Sequence, residues 1–567
     1  MLDRANTATG ASLLVDCLER QGVDRVFCVP GESFLSVLDA LHGREERIPL
    51  VVCRQEGGAA NMADAYGKLT GRPGVCFVTR GPGATNAAIG VHTAFQDSTP
   101  MVLFVGQVAR PFRDREGFQE VDFGAMFRPL AKWSAQIDDP RRIPEYVHRA
   151  FQTALAGRPG PVVLSLPEDM LAECIEGGID PGLRAESLSG APTVAALQRY
   201  AEMSAQAERP MIILGGGDWS AEAQAALLGY AEAAQIPICA SLRCQDYIPN
   251  DHPLYAGHFG IGAEPALARR LAEADLVIAL GARLGEMTTG GYSLLKAPRP
   301  AQKLIHIHPD PQELGHVYQA DLPINAGLGP MVQALAALAP SVKSTARAGW
   351  CSALRADYEA SQVAPPPGPG VDMAAIVRHL QSVLPRDTIV CNGAGNYTGW
   401  FHKYWRFNRF RSQLAPTSGA MGYGVPSAVA AKLVHPERSV LSVSGDGCFL
   451  MNGQELATAV QYGAKVLFLV INNSAYGTIR MHQEREYPAR VSGTELHNPD
   501  FAALARSYGL AGERVLDNAS FAPALERALA APQGALIEIV TDIEALSVRT
   551  TLSKLRASAL ERQRSKA

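Results

Sequence analysis

The chain has 567 residues, of which 47% are hydrophobic and 19% charged, and its formal net charge is −4. One hydrophobic core does not serve a chain of this length, so we expect three or four domains. The nearly balanced charge argues against a surface for nucleic acid or for an anionic membrane, so neither is an expected partner.

The distribution of apolar residues and cysteines predicts an ordinary globular protein of the cytoplasm. No apolar run reaches the ~18 residues of a membrane-spanning helix. The N-terminus, MLDRANTATGAS, lacks the basic and apolar segments of a signal peptide. The ten cysteines are scattered without a CxxC pair, a pattern typical of reduced thiols rather than of disulfides or a zinc site.

The first region, residues 1–180, alternates helical patterns with short apolar runs. This alternation predicts a parallel β-sheet covered by helices on both faces. A loose stretch that contains Gly and Ser, residues 176–192, follows the region. The predicted strands are Val26–Val29, Leu50–Cys53, Val75–Thr79, Met101–Val105 and Val162–Leu166.

Two segments of this region have the features of a site. Glu56 stands after a buried strand and before Gly57-Gly58, and a carboxylate between a strand and a helix is well placed for chemistry in an α/β sheet. The same position would also suit a carboxylate that only complements the helix dipole. The loop Thr79–Asn86, TRGPGATN, follows the next strand and is typical of a ligand-binding loop.

The second region, residues 193–340, repeats the alternation, and the Pro-rich stretch Ala364–Gly370 after it indicates a linker. The first strand of this region runs into the glycine triplet Gly215–Gly217. His306 and His308 alternate along the third strand, and two histidines without a further ligand are more typical of a sheet than of a metal site. The predicted strands are Met211–Leu214, Leu276–Leu280 and Leu304–Ile307.

The third region, residues 371–545, alternates again, and a polar, helical or frayed tail of residues 546–567 follows it. Gly445-Asp446-Gly447 is followed, after 24 intervening residues, by Asn472-Asn473. A helix after the first motif and a strand before the second would place Asp446 and Asn473 where Mg²⁺ can hold a diphosphate. The predicted strands are Thr388–Cys391, Ser439–Val443, Val466–Ile471 and Ala535–Val540.

Together these motifs resemble the thiamine diphosphate (ThDP) enzymes, and their order is that of the acetolactate synthase group. The resemblance implies three doubly wound α/β domains with parallel sheets. They are a pyrimidine-binding domain (1–180), a transhydrogenase-like middle domain (193–340) and a diphosphate-binding domain (371–545), followed by the tail 546–567. The motifs typical of the group are Val29–Glu32, Gly81–Asn86, Gly106–Val108, Gly117–Glu120 and Gly157–Val162.

The resemblance assigns Glu56 as the catalytic glutamate, with Phe118 and Gln119 lining the substrate pocket. A carboxylate that hydrogen-bonds to the pyrimidine ring promotes its imino tautomer, which then takes the thiazolium proton within the cofactor. The implied metal ligands are Asp446, Asn473 and the backbone oxygen of Ala475. The implied cofactor contacts are Gly31, Pro82, Asn86, Gly395, Asn396, Tyr397, Gly419, Met421, Asp446, Gly447, Cys448, Asn473 and Tyr476.

Met421 is a candidate for the apolar wedge that bends the cofactor so that its two rings approach. A methionine is more often simple core filling. Met421 lies instead between glycines, 24 residues before Gly445 (445 − 421), as the wedge of the family does. Asn396 and Tyr397 stand where the family often has Gln-His.

The resemblance also implies a homodimer or homotetramer with active sites between subunits, a regulatory subunit as a further partner, and a 2-oxo acid substrate such as pyruvate. Decarboxylating relatives usually carry a His-His pair near Gly106–Val108, and this chain has no adjacent histidines. Carboligation is therefore the leading prediction. The alternatives are a decarboxylase or 2-hydroxyacyl lyase that releases an aldehyde, and a non-catalytic regulator that binds ThDP or a nucleotide.

Several residues depart from the acetolactate synthase pattern. Met287 stands in place of an arginine thought to meet the acceptor's carboxylate, and His482 in place of a tryptophan. Arg480 or His482 could supply the missing charge, or both could lie on a solvated helix face. Gly215–Gly217 suits the non-redox FAD of the group, but His308 replaces an aspartate, so FAD, an ADP-type ligand and an empty pocket all stay open.

Overall fold

A computed structural model of the chain describes residues 8–176, 178–338 and 344–565. Within these ranges it contains three six-stranded parallel sheets flanked by helices, together with a short antiparallel pair. This confirms the predicted α/β class with three parallel-sheet domains. None of the helices in the described ranges has the length and apolarity needed to cross a membrane.

The first sheet has the order β3-β2-β4-β5-β7-β6, and β1 pairs with β8. Its central strands are buried throughout because helices cover both faces, and Phe77 stacks on Phe104 with ring centroids 4.7 Å apart. The strands are β1 Ala8–Thr9, β2 Val26–Cys28, β3 Leu50–Val52, β4 Gly74–Val78, β5 Met101–Gln107, β6 Trp133–Gln136, β7 Pro161–Pro167 and β8 Cys174–Ile175; the α-helices are α1 Gly10–Arg20, α2 Leu35–Leu41, α3 Glu56–Thr70, α4 Pro82–Asp97, α5 Phe123–Phe127, α6 Ile143–Leu155 and α7 Glu168–Ala172.

The second sheet has the order β11-β10-β9-β12-β13-β14, which is the strand order of a dinucleotide-binding fold. A helix of 17 residues, α12, follows in a stretch where the sequence predicted no element. The strands are β9 Pro210–Leu214, β10 Ile238–Ala240, β11 Tyr255–His258, β12 Leu276–Leu280, β13 Lys303–His308 and β14 Leu322–Asn325; the helices are α8 Val194–Gln206, α9 Ala221–Ala234, α10 Pro265–Glu273, α11 Leu328–Ala337 and α12 Thr345–Ser361.

The third sheet has the order β16-β15-β17-β18-β20-β19, so relative to the chain it repeats the order of the first sheet. In the C-terminal tail, which was expected to be helical or frayed, residues Leu552–Arg564 form a helix. The strands are β15 Ile389–Asn392, β16 Gln413–Leu414, β17 Val440–Gly445, β18 Leu467–Asn472, β19 Ala511–Val515 and β20 Ala535–Val540; the helices are α13 Met373–Val383, α14 Thr398–Tyr404, α15 Gly424–Val434, α16 Asp446–Phe449, α17 Leu456–Gln461, α18 Gly477–Glu486, α19 Phe501–Ser507, α20 Asn518–Ala530 and α21 Leu552–Arg564.

The chain divides into two compact units. Of the described residues, the first unit contains those up to Leu188 together with Pro416–Pro436 and Asn452–Ala464, and the second contains the others. Two segments of the predicted third domain therefore pack in the first unit, where α15 lies against α3. Met421 and Gly419 belong to the first unit for this reason.

Candidate active site

Glu56 is the first residue of α3 and follows β3 at the carboxyl edge of the first sheet. Its Oε2 accepts a hydrogen bond of 2.9 Å from Asn86 Nδ2 on α4. A Cβ atom at Gly83 would lie 3.5 Å from Glu56 Oε1, so this oxygen faces the small-residue start of α4. Glu56 is half-buried, and no lysine or arginine of the described ranges forms an ion pair with it. The structure thus brings together Glu56 and Asn86, both predicted from the sequence.

The loop that carries Phe118 and Gln119 is held by an arginine that the sequence analysis did not single out. Arg80 is buried, and its Nε donates a 3.0 Å hydrogen bond to the backbone oxygen of Phe118. Its two terminal nitrogens pair with Glu32 at 2.9 Å and Glu168 at 3.0 Å. The Phe118 side chain is 72% exposed. Arg80 therefore presents an exposed aromatic ring at the carboxyl edge of the first sheet.

The other predicted residues of the first unit lie on loops or at the start of a helix. Pro82 is the exposed first residue of α4. Gly31 packs against Thr79, because a Cβ atom at Gly31 would lie 2.5 Å from the Thr79 Cβ. Gly419 is exposed and Met421 is half-buried in the loop before α15. The backbone oxygen of Gly422 in this loop accepts a 3.0 Å hydrogen bond from Asn452 Nδ2.

Glu455 is a second residue that the sequence analysis missed. It is completely buried, and its Oε1 accepts hydrogen bonds of 3.0 Å from the backbone nitrogens of both Arg54 and Gln55. Burial raises the pKa of the Glu455 carboxyl. The carboxylate therefore fixes the two backbone units directly before Glu56.

In the second unit, Asp446 is buried at the end of β17. Its Oδ2 accepts hydrogen bonds from the backbone nitrogen of Ala475 at 3.2 Å and from Asn498 Nδ2 at 2.8 Å. Asn473 follows β18 directly, and its Oδ1 lies 3.2 Å from the same Ala475 nitrogen. Ala475, Asp446 and Asn473, the three predicted metal ligands, thus lie side by side at the edge of the third sheet.

This donor set fits a magnesium ion. It contains a carboxylate, an amide oxygen and a backbone oxygen, which are the hard ligands that Mg²⁺ prefers. The backbone oxygen of Ala475 accepts one hydrogen bond of 2.8 Å from Gly477, and a carbonyl oxygen has a second lone pair for a metal. Within the described ranges no three His, Cys, Asp or Glu side chains cluster as a metal site.

Asn498 completes this arrangement and was not predicted. Besides Asp446, its Nδ2 donates a 2.9 Å hydrogen bond to Asn472 Oδ1. Asn472 Nδ2 in turn donates a 2.7 Å bond to the buried carboxylate of Glu538 on β20. No sequence spacing indicates this contact, because Asn498 is 52 residues from Asp446.

The expectation of a helix directly after Gly447 is only partly correct. Helix α16 has four residues, and the regular helix α17 begins only at Leu456. The glycines also serve packing that the sequence did not indicate. A Cβ atom at Gly445 would lie 2.9 Å from the Tyr397 ring, and one at Gly447 would lie 2.6 Å from the Tyr476 ring.

The residues around Gly395 form the other side of this loop. Tyr397 is buried, and its hydroxyl donates a 3.2 Å hydrogen bond to Cys448 Sγ. A Cβ atom at Gly395 would lie 2.7 Å from the Tyr397 ring. The Asn396 Oδ1 accepts a 3.1 Å hydrogen bond from Thr478 Oγ1. The structure therefore brings Gly395, Tyr397 and Cys448 into one cluster beneath the Gly445 turn.

In the middle domain, the turns after β9 and β12 close on each other. A Cβ atom at Gly216 would lie 2.5 Å from the backbone oxygen of Gly281. The backbone oxygen of Gly216 accepts a 2.6 Å hydrogen bond from the Tyr247 hydroxyl. His306 Nε2 lies 2.9 Å from the backbone oxygen of Ala282. These glycines are thus explained by close backbone packing at the switch point of the sheet.

The substituted acceptor residues differ in their surroundings. His482 is exposed on α18, as a solvated helix face requires. Arg480 is not solvated in this way, because its side chain is only 15% exposed and lies 3.4 Å from the buried carboxylate of Glu484. Arg556 on α21 pairs with the same carboxylate. Met287 is 42% exposed.

Comparison with known proteins places these features in a family. Residues 8–126 match the N-terminal TPP binding domain of thiamine pyrophosphate enzymes, 197–335 the central domain and 393–539 the C-terminal TPP binding domain. Thiamine pyrophosphate is another name for ThDP. The chain belongs to the thiamine pyrophosphate enzyme family.

Its curated relatives narrow the type of enzyme. The chain is 33% identical to a "Probable acetolactate synthase large subunit" of Methanocaldococcus jannaschii over 94% of this chain and 92% of that protein. It is 34% identical to an "Acetolactate synthase large subunit" of Parasynechococcus marenigrum over 94% and 87% of the two chains. It is 31% identical to "Acetolactate synthase isozyme 2 large subunit" of Escherichia coli over 94% and 95%. The chain is therefore a ThDP-dependent carboligase of the acetolactate synthase type.

Proposed function

We propose that the enzyme decarboxylates pyruvate or a related 2-oxo acid and joins the remaining acyl unit to a carbonyl acceptor. The observation that carries this proposal is the half-buried carboxylate of Glu56, whose Oε2 is held by Asn86 while Oε1 faces Gly83. Bound ThDP would supply the carbanion that attacks the 2-oxo acid and the electron sink for its decarboxylation. Glu56 would hold and return the proton at the pyrimidine nitrogen, and Asn86 would keep its carboxylate oriented.

The remaining predicted residues would bind the metal ion and the cofactor. Asp446, Asn473 and the backbone oxygen of Ala475 would hold Mg²⁺ against the diphosphate. The Gly395, Tyr397, Gly447, Cys448 and Tyr476 cluster would line the diphosphate site, with Asn396 at its rim. Gly31, Pro82 and Gly419 would surround the pyrimidine, and Met421 would support the bend of the cofactor.

For the acceptor, we propose that Phe118 and Gln119 form one wall of the pocket. The exposed Phe118 ring and the Arg80 contact that holds its backbone support this role. Because Met287 stands where the group has an arginine, we propose that position 287 does not bind an acceptor's carboxylate. The contact of Arg480 with Glu484 argues against Arg480 as a substitute. An aldehyde-releasing decarboxylase or lyase is the second candidate on this ground.

For the assembly, we propose a homodimer or homotetramer in the cytoplasm, with each active site formed by two copies of the chain. The relatives named above are large subunits, which supports a regulatory partner for this chain as well. None of the ten cysteines forms a disulfide, which agrees with a reducing compartment. The strand order of the second sheet supports a nucleotide such as FAD at the turns after β9 and β12.

The test is product analysis with purified protein, ThDP, Mg²⁺ and pyruvate, with and without FAD. Acetolactate above the level made by Glu56→Gln would support the proposal, and a dependence on FAD would support the nucleotide. Acetaldehyde alone would favour the decarboxylase. If neither product forms, pyruvate is not the donor, and other 2-oxo acids would be scored by CO₂ release.

A further inference from the structure

Four side chains form a buried polar network in the first unit, apart from the residues of the candidate active site. Asp64 and Lys68 lie one turn apart on α3, the helix that begins at Glu56. Asp97 is the last residue of α4, and Tyr423 directly precedes α15. Asp64, Asp97 and Tyr423 are almost completely buried, and the side chain of Lys68 is 17% exposed.

Lys68 is the centre of the network. Its ammonium lies 3.0 Å from Asp64 Oδ2, contacts Asp97 Oδ2, and lies 3.2 Å from the Tyr423 hydroxyl. The Tyr423 hydroxyl donates a 2.6 Å hydrogen bond to Asp64 Oδ2. The ammonium also lies 4.6 Å from the centre of the Tyr423 ring, where a cation is attracted by the ring. Helices α3, α4 and α15 are therefore joined at one point.

The same network holds both ends of the loop that carries Met421. At the beginning of the loop, Asp97 Oδ1 accepts a 2.6 Å hydrogen bond from the backbone nitrogen of Thr417 and another from its hydroxyl. At the end of the loop stands Tyr423. Between them, Gly419 and Gly422 have φ angles of +70° and +82°, a conformation that costs glycine little, and the backbone nitrogen of Gly419 donates a 3.0 Å hydrogen bond to the Pro416 oxygen.

The charges of the network suggest a role in geometry. Buried ion pairs are weak evidence for stability, because apolar side chains of similar volume often serve a fold equally well. Two carboxylates and one ammonium hold a loop here, and the loop carries a predicted cofactor contact. Each oxygen of Asp97 has a separate task, since Oδ2 contacts Lys68 and Oδ1 binds Thr417.

We propose that Asp97 is a positioning residue for Met421. Asp97 would fix the start of the loop of residues 417–423, which carries Met421, to the network on α3 and α4. The inference rests on the proposed role of Met421 as the wedge. Asparagine at position 97 would keep the volume and would leave Lys68 in a balanced pair with Asp64. Asp97→Asn would, however, remove the negative charge that binds both Lys68 and the Thr417 backbone.

The experiment is a double-mutant cycle between Asp97→Asn and Met421→Ala on the full-length enzyme. We measure the Kd for ThDP in saturating Mg²⁺, kcat and KM, and the near-ultraviolet circular dichroism of the bound cofactor. We expect each single variant to weaken ThDP binding about tenfold, and the double variant to be no weaker than either one, because the two changes disturb one loop. Asp275→Asn is the control, since Asp275 binds the backbone nitrogens of Glu208 and Arg209 in the middle domain.

The outcomes separate this inference from the proposed function. If Met421→Ala weakens ThDP binding and Asp97→Asn does not, or if the two effects add, the positioning role is wrong. If Met421→Ala itself leaves binding unchanged, the wedge assignment fails. Should Asp97→Asn fold poorly, Thr417→Val removes only the hydroxyl that donates to Asp97 Oδ1. Thr417→Val is expected to change the circular dichroism of the bound cofactor in the same direction as Met421→Ala does. An unchanged spectrum would overturn the inference.

Discussion

The first and third sheets have the same strand order. They differ in the strand after which the proposed active-site carboxylate stands. When the strands of each sheet are numbered by their order in the chain, both sheets have the spatial order second, first, third, fourth, sixth, fifth. Glu56 follows the second strand of the first sheet, whereas Asp446 follows the third strand of the third sheet. The two sheets therefore share a topology with a carboxyl edge that can hold a site. The residues that follow each strand determine the chemistry of that site.

The surroundings of the two carboxylates differ in the same way. Glu56 is half-buried and has one amide partner, Asn86. Asp446 is buried, and Asn498 and the backbone of Ala475 fix one of its oxygens. A carboxylate with few partners is suited to proton exchange, and one fixed by several donors is suited to a constant place in a metal site. We therefore expect variants of Glu56 to affect turnover and variants of Asp446 to affect binding.

Glu56→Gln should lower kcat by about 100-fold or more, since a proton-transfer group contributes 10²–10⁴-fold. The affinities for ThDP and Mg²⁺ should stay unchanged, because the amide keeps the shape and the contact with Asn86. Steady-state kinetics and a fluorescence titration with ThDP measure both. Glu46→Gln, at an exposed glutamate of the same region, is the control. A kcat equal to that of the wild type would remove Glu56 from catalysis.

Asp446→Asn should have the opposite signature. It removes the negative charge of a proposed metal ligand, so Mg²⁺ and ThDP should bind at least about 100-fold more weakly, since the loss of an outer-shell partner alone costs about 10–100-fold. Saturating concentrations of both should restore part of the turnover. Calorimetric titration of Mg²⁺ in the presence of ThDP is the measurement. If binding were normal and kcat alone were lost, the contrast between the two carboxylates would be reversed.

Asn498→Ala should weaken Mg²⁺ binding by about tenfold, the lower end for a residue that orients a metal ligand. The variant leaves Asp446 in place and removes the donor to its Oδ2. Asn325→Ala, which removes hydrogen bonds to the backbone oxygens of His308 and Pro309 in the middle domain, controls for the loss of an amide. Equal Mg²⁺ affinity in Asn498→Ala and the wild type would assign Asn498 a purely structural role.

The smallest expected effects concern pH and stability in the second unit. Burial lowers the pKa of His258 from its ordinary 6.5 to about 4, although Glu264 opposes this and Arg549 adds to it. Burial raises the pKa of Asp246 from 3.8 to about 6, against hydrogen bonds from the backbones of Gln413 and Ser412. The stability that His258 contributes is lost as the pH falls from 6.5 to 4, and that of Asp246 is lost as the pH rises from 3.8 to 6.

The matching variants should therefore show opposite pH profiles. As the pH falls from 6.5 to about 4, His258→Gln should gain stability relative to the wild type. As the pH falls from about 6 to 3.8, Asp246→Asn should lose stability relative to the wild type. Urea unfolding at a series of pH values gives the two difference curves. Curves of the same sign would mean that burial does not govern both groups.

Sequence patterns predicted the central strands better than the edges. Five of the six edge strands, all but β3, were not predicted. A central strand of a covered parallel sheet is a continuous apolar run, such as LVIAL in β12. The edge strand β19, AGERV, is partly exposed and therefore mixed, so it has no clear period. The edge strand β16 has only two residues, which is too short for any period.

For the candidate site, residues next to a strand end could be predicted, and residues that arrive from a distant part of the chain could not. Glu56, Asp446 and Asn473 each stand beside an apolar run. Asn498 contacts Asp446, 52 residues away, and Glu455 contacts Arg54 and Gln55, 401 and 400 residues away. Such distant pairs leave no local pattern in the sequence.

We propose that the Glu56 region of one copy and the Asp446 region of another serve one active site. The most direct test is to co-express Glu56→Gln and Asp446→Asn chains with different tags and to purify the mixed dimers. Each mixed dimer would have one intact site and one doubly altered site, so we expect about half of the wild-type turnover. Turnover no higher than that of the single-variant dimers would contradict the claim and would place both residues of an active site on one chain.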